Sequence, residues 1–180
     1  MTDLIILAML LGGPKHGYQL KHEAGLLLGQ RVLHDNLVYP LLRRFANKKW
    51  VKRQEVPGER GQTRQQYSLT ALGRRELVAR LSEFSERDAA SWDAFRFRVS
   101  MFWLLEPEVC ERVLKARAEF LQAQTVQMKA IQRGFELNRY AAEVINQTLA
   151  RTRSELAWIE RLHKLEKSRK GKAGDYGDGV

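Results

Sequence analysis

At 180 residues and 20.9 kDa the chain holds one ordinary domain or two small ones, and 44% apolar against 29% charged residues is a soluble globular balance that excludes a large multidomain enzyme. Lys and Arg number 31 against 21 Asp and Glu, a net charge of +10 that favours an anionic partner, nucleic acid first. A lone cysteine, Cys110, excludes an internal disulfide and a cysteine-based zinc site and fits a reducing cytoplasm.

The basicity is uneven. Residues 1–85 hold 14 basic and 7 acidic side chains, residues 86–180 hold 17 and 14, and the stretch Arg43 to Arg80 alone holds 11 and 3. Thr2 as an N-cap, followed by Leu4, Ile5, Leu7, Ala8 and Leu11, predicts a short buried helix stopped by Gly12, Gly13 and Pro14. Its apolar stretch is too short to span a bilayer, and Asp3 is the wrong flank for a signal peptide. A second helix is predicted from about His16 to Leu28, with Tyr18, Leu20 and Leu27 among its apolar residues. A third starts at Asp35 or Asn36 and carries Val38, Leu41, Leu42 and Phe45. Trp50, Val51 and Val56 before Pro57, then Gln65, Tyr67 and Leu69 after Gly61, read as two strands of a hairpin. Thr70 caps a further helix bearing Leu77, Val78, Leu81 and Phe84. Three helices, a hairpin and a helix are the order of a winged helix-turn-helix.

Beyond Phe84 the chain is almost all helix former. Glu106, Pro107 and Glu108 predict a helix start, because proline suits the first turn and acids suit the positive end of the dipole. That helix continues to about Arg133. After Gly134, Ile145, Leu149, Thr152, Leu156 and Ile159 recur at intervals of 4, 3, 4 and 3, a coiled-coil seam. The seam closes either on a second copy or inside its own monomer. Dimerisation is the expectation, since one short helical hairpin offers little core. The fold class expected is therefore mainly α with a small β-hairpin: a winged helix-turn-helix over 1–85, an antiparallel helical or coiled-coil dimerisation domain over 86–168, and a disordered tail over 169–180.

The first part of the chain resembles a known family. GPKHGYQL at 13 to 20, VYPLLRRF at 38 to 45 and RQQYSLTALGRREL at 64 to 77 resemble, in order and spacing, the PadR family of bacterial transcription regulators. In length and in its helical second half the chain resembles the AphA-like subfamily with a large C-terminal dimerisation domain. The resemblance implies a DNA-binding repressor, with Tyr18 and Tyr39 as DNA contacts, and it raises the prospect of a small aromatic, phenolic acid-like effector that releases DNA.

The residues support that reading on their own chemistry. A helix-turn-helix lays its second helix in the major groove while the first helix and a basic wing hold phosphates. Arg43 or Arg44 suits a guanine edge, and Asn36 either reads adenine or caps the helix, capping being the commoner role. His16, Tyr18 and Gln19 fall at the start of the preceding helix, where donors meet a phosphate; for Tyr18, packing of the ring is the alternative. In the wing, Arg60, Gln62, Thr63 and Arg64 surround Gly61, which permits close approach to a duplex backbone. The family often has Gly-Arg-Pro-Arg there, so Gln62 and Thr63 are a departure that removes one positive charge. His34, Asp35, Asn36, Leu37, Val38 and Tyr39 depart too from the usual small hydroxyl residue and Gly-Thr-Leu-Tyr, and the Leu37 side chain has no hydrogen bond to give a phosphate. Asp35 is tolerable beside DNA only if its carboxylate serves the helix cap.

Other functions find less support. His16, His22, His34 and His163 form no ligand pattern, there is no phosphate-binding glycine loop or serine nucleophile motif, and Cys110 reads as a small buried hydrophobe. No catalysis, metal or cofactor is expected. Trp92, Phe95, Phe97, Phe102 and Trp103 form an aromatic stretch that is more often core or interface than a ligand pocket. The rival function is a winged-helix module that binds another protein and not DNA.

Overall fold

The computed structural model describes residues 1–27, 33–57 and 63–174, with side chains to residue 169. Arg60, Gly61 and Gln62 at the expected wing tip, and residues 175–180, lie outside the described residues. The chain divides into two compact units, Met1–Glu83 and Phe84–Val180.

The first unit runs α1 (Thr2–Met9), a 3-10 turn (Leu10–Gly12), β1 (Lys15–His16), α2 (Gly17–Leu27), α3 (Asp35–Asn47), β2 (Val51–Pro57), β3 (Thr63–Leu69) and α4 (Ala71–Ser82). The three strands form one antiparallel sheet in the order β1-β3-β2. Strand β1 was not anticipated, because two residues carry no periodicity. Ile6, Leu7, Leu20, Val38, Leu42, Phe45, Leu77 and Leu81, each fully buried, make the core. Helix α3 is the most strongly two-sided of these helices: Val38, Leu42 and Phe45 face inward while Asn36, Tyr39, Pro40 and Arg43 are exposed on the other side.

Two helix starts differ from expectation. The N-cap of α1 is Met1, so Thr2 lies inside the helix, and the Leu4 amide donates instead to Asp3 Oδ1 (3.0 Å). The N-cap of α3 is His34, and no side chain caps that end. Asn36 is therefore in the first turn, not at the cap. The carboxylate of Asp35 is taken by Lys21 Nζ at 2.8 Å, a pair that ties α2 to α3 and holds the Lys21 ammonium above its ordinary pKa through that hydrogen bond.

The end of α3 is locked in a Schellman motif. Lys49, at φ 57°, donates its amide to Ala46 O (2.9 Å), and the Trp50 amide donates to Phe45 O (2.9 Å). The Trp50 and Phe45 rings meet at 5.6 Å, the apolar contact that accompanies this motif. Lys48 Nζ and the Arg80 guanidinium lie over the Trp50 ring at 4.5 and 4.7 Å. The motif that begins α4 then docks on the same residue. Thr70 donates its amide to Trp50 O (3.0 Å), and its hydroxyl accepts from the Gly73 amide (2.9 Å). A Cβ at Gly73 would stand 1.9 Å from the Trp50 carbonyl oxygen, so only glycine fits there.

The second unit runs α5 (Glu86–Ala90), α6 (Trp92–Ser100), a 3-10 turn (Phe102–Leu104), α7 (Pro107–Gly134) and α8 (Arg139–Gly174). The expected helix start at Pro107 is observed. The region before it is broken twice, by a capping box of Ser85 with Asp88 and by Ser91 capping α6. Helices α7 and α8 form an antiparallel hairpin, with Gln132 hydrogen-bonded to Asn146 near the turn and His163 to Glu111 near the far end.

Here the seam expected to join two chains is occupied within one. Ile145, Thr152 and Ile159 are already buried in the single chain, and Leu149 and Leu156 are partly so. Helix α7 is 28 residues long and presents Cys110, Val113, Leu114, Arg117 and Leu121 along a matching stripe, so the hairpin is not too short to cover them. The buried Arg117 anchors the hairpin: it pairs through two nitrogens with Glu155 (2.6 and 2.9 Å) and donates to Ala89 O. Helix α8 also continues to Gly174, through residues assigned to a disordered tail. Arg169 explains the extension, because its guanidinium donates to Phe102 O (2.8 Å) and Leu105 O (2.9 Å). The neighbouring Cys110 thiol is pushed up to about 11 by burial and by Glu166, so it stays protonated and unreactive.

Candidate nucleic-acid interface

A groove of about 850 Å³ runs along the first unit between the exposed face of α3, the start of α2 and the sheet. It is lined by His16, Tyr18, Gln19, Asn36, Tyr39 and Arg43 of the expected set, by Arg64 from the wing, and by Arg53, Gln65 and Tyr67 from the strands.

Backbone geometry sets each of these residues. The β1–β3 pairing places His16 opposite Gln66, and His16 Nδ1 lies 3.2 Å from Gln65 O, which directs Nε2 away from the sheet. The Gln19 side-chain oxygen accepts from the His16 amide (2.9 Å), fixing the entry to α2. Tyr18 is 66% exposed, with His22 stacked loosely beside it at 6.4 Å, so the reading in which its ring packs away is not what is observed. Tyr39 packs its ring edge on Gly17, where a Cβ would stand 2.8 Å from Tyr39 Cε1. That is the physical reason the histidine and tyrosine of HGY flank a glycine. Pro40 stands inside α3 and cannot donate to the Asn36 carbonyl.

Arg43 and Arg44 part company. Arg43 lines the groove, whereas Arg44 turns toward α1, 3.9 Å from Asp3 and over the Phe45 ring at 5.7 Å. Adjacent positions on a helix differ in direction by about 100°, so the two side chains leave α3 on different sides. Asp3 also accepts from Arg80 at 2.9 Å, which makes this a structural network of α1, α3 and α4. Arg44 is not among the residues that line the groove.

The strand residues were missed as site residues. Tyr67 was seen only as an alternating strand position. The register pairs Arg53 with Tyr67 and Glu55 with Gln65, which puts all four on one face. Once the register is known, alternation alone identifies them. Burial raises the Tyr67 phenol above its ordinary pKa, so it remains a hydrogen-bond donor. Asp35 is the acid in the lining, and Lys21 offsets it. The groove is thus walled by tyrosines, with three arginines and no uncompensated carboxylate among its described lining residues.

In the second unit, Phe95 and Phe102 are core, as the bland reading of the aromatic stretch expects. Trp92 is 39% exposed and meets Trp158 at 5.5 Å. It lines two open cavities of about 200 and 360 Å³, shared with Arg151 and Glu155. Among the described residues there is no cluster able to hold a metal ion, and no helix long and apolar enough to cross a membrane.

Residues 6–79 match the profile described as the transcriptional regulator PadR-like family. No curated protein matches the chain. Among solved structures, the chain is similar to the protein TA0346 from Thermoplasma acidophilum, at 29% identity and TM-score 0.40, over 42% of this chain and 72% of that one. It is similar to Bacillus subtilis PadR, solved in complex with operator DNA, at 16% identity and TM-score 0.44, over 91% and 98%. A PadR family transcription regulator from Clostridium difficile R20291 is similar at 22% identity and TM-score 0.37, over 44% and 81%.

Proposed function

We propose, from the match of residues 6–79 to the PadR-like family of transcriptional regulators, that the chain is a homodimeric repressor that binds a palindromic operator in double-stranded DNA. The observation that carries this reading is the exposed stripe of α3, in which Asn36, Tyr39 and Arg43 stand together over a cationic groove while the opposite stripe holds the core. A helix so divided can enter a major groove without disturbing its own packing. Arg43 reads a guanine edge, Asn36 offers its amide to adenine, and Tyr18, His16 and Arg64 hold the flanking phosphates.

One winged helix makes few base contacts, so two copies on half-sites about 34–36 Å apart multiply specificity. The surface offered for dimerisation is not the buried seam. It is the set of apolar residues left outward near the α7–α8 turn, of which Phe135, Tyr140 and Val144 are each about two-thirds exposed. Release by a small aromatic acid is supported by the exposed Trp92 and the larger cavity beside it, which Trp158, Arg151 and Arg161 complete. The cytoplasm is the compartment such a regulator works in.

Gel-shift titration on the DNA upstream of the protein's own gene, at two salt concentrations, tests the reading. A saturable shift whose affinity falls steeply with salt, by about 0.9 in log-log slope per phosphate neutralised, is expected. A protein-docking module would give no such shift. Quenching of tryptophan fluorescence by aromatic carboxylates, with loss of the shift, tests the effector.

A further inference from the structure

We propose that Arg53, on the first strand of the wing, is a phosphate-binding residue of the groove and that Gln65 is its positioning residue; this rests on the DNA-binding reading above. Arg53 Nε donates to Gln65 Oε1 at 2.7 Å, and Gln65 Nε2 donates to Glu55 Oε1 at 2.7 Å. The cross-strand register, Glu55 opposite Gln65 and Arg53 opposite Tyr67, builds this relay on the face that lines the groove. Its direction is fixed by chemistry. An ionised carboxylate only accepts, so the amide nitrogen of Gln65 must face Glu55 and the amide oxygen must face Arg53.

The consequence is an arginine that is oriented and still charged. A guanidinium carries five N–H groups in one plane, and the relay takes the Nε donor and leaves the terminal nitrogens. The side-chain ion pairs of this unit join Lys15 to Glu23, Lys21 to Asp35, Arg44 and Arg80 to Asp3, and Arg80 to Glu76; among these described pairs none includes Arg53. A carboxylate in the place of Gln65 would hold the guanidinium as well and cancel its charge. The neutral amide separates the two functions, setting Glu55 to orient Gln65 while Gln65 orients Arg53. Arg53 stands on the sheet wall of the groove, beside the helix face that offers Asn36 and Arg43 to bases, and its ligand is the nonbridging oxygens of a DNA phosphate.

The test uses the full chain and a random-sequence duplex of about 30 base pairs, by fluorescence anisotropy between roughly 50 and 200 mM salt. Arg53→Ala is expected to bind about tenfold more weakly at the low-salt end, with the log-log salt slope reduced by about 0.9. Gln65→Glu is expected to lose affinity to a similar degree, since it holds Arg53 but neutralises it, and to lower the melting temperature slightly because the new carboxylate faces Glu55. Gln65→Ala is expected to weaken binding in the wild-type background and to have no further effect in Arg53→Ala. An unchanged salt slope in Arg53→Ala, or wild-type affinity in Gln65→Glu, would overturn the assignment. Wild-type protein that ignores the duplex overturns the DNA-binding reading itself, a result distinct from variants that merely match the wild type.

Discussion

The two units of this chain hold their shape by opposite means. The first relies on single, unrepeated approaches: Gly73 against the Trp50 carbonyl, Gly17 against Tyr39, Thr70 over the end of α3. The second repeats one arrangement along two helices, a stripe of α7 against Ile145, Thr152 and Ile159 of α8, pinned by Arg117 and Glu155. Damage should therefore be local and severe at a few positions in the first unit and graded along the seam in the second, while the exposed faces proposed to bind partners tolerate change in both.

The largest effect is expected within the second unit. Ile159→Asp places a carboxylate in a site 2% exposed and should unfold that unit, costing on the order of 4–5 kcal/mol, visible as lost helical signal in circular dichroism. Phe135→Asp should keep that signal and instead shift sedimentation from dimer toward monomer. If Ile159→Asp stays folded and only dissociates, the assignment of the seam to the interior is wrong; if Phe135→Asp unfolds, the proposed dimer face is wrong. Glu155→Ala leaves Arg117 buried without its partner and should cost about 3–5 kcal/mol in urea unfolding. In the first unit, Gly73→Ala should cost about 3 kcal/mol, because the obstructing atom is backbone.

Among exposed residues the effects should be smaller and confined to binding. Arg43→Ala is expected to weaken operator binding by about 1–3 kcal/mol and to relax base preference, whereas Arg44→Ala should leave preference intact and lower the melting temperature slightly. Equal effects on DNA would erase the distinction between the two. The smallest change is a gain. Lys49→Gly should stabilise the first unit by about 1 kcal/mol by relieving its left-handed backbone.

How far the amino-acid order disclosed all this differs between the units. In the first, the helices and the hairpin were legible from apolar spacing and turn residues, and the groove residues on α2 and α3 were suggested by the helix-turn-helix order and the resemblance that HGY and the tyrosine-proline carry. Arg53 and Gln65 were not, since their meeting depends on a strand register that no residue announces. Nor was the fate of Arg44, which is decided by Asp3 more than forty positions away. In the second unit the four-three spacing disclosed the seam, and a second copy was expected to cover it, whereas Ile145, Thr152 and Ile159 are buried within the single chain. Period records that a stripe is covered, and the length of α7 decides by what. Arg169 lay in a stretch whose composition suggested disorder, and only its carbonyl partners on another element extend the helix.

The division of α3 bears on how such a regulator changes its target. Val38, Leu42 and Phe45 face the interior, while the exposed Asn36 and Arg43 face away from it. Substitutions at those two outward sites can be screened in combination and recovered as folded protein. On the proposed reading of α3, a lineage or an experimenter can retune which promoter is addressed without first re-solving how the chain folds.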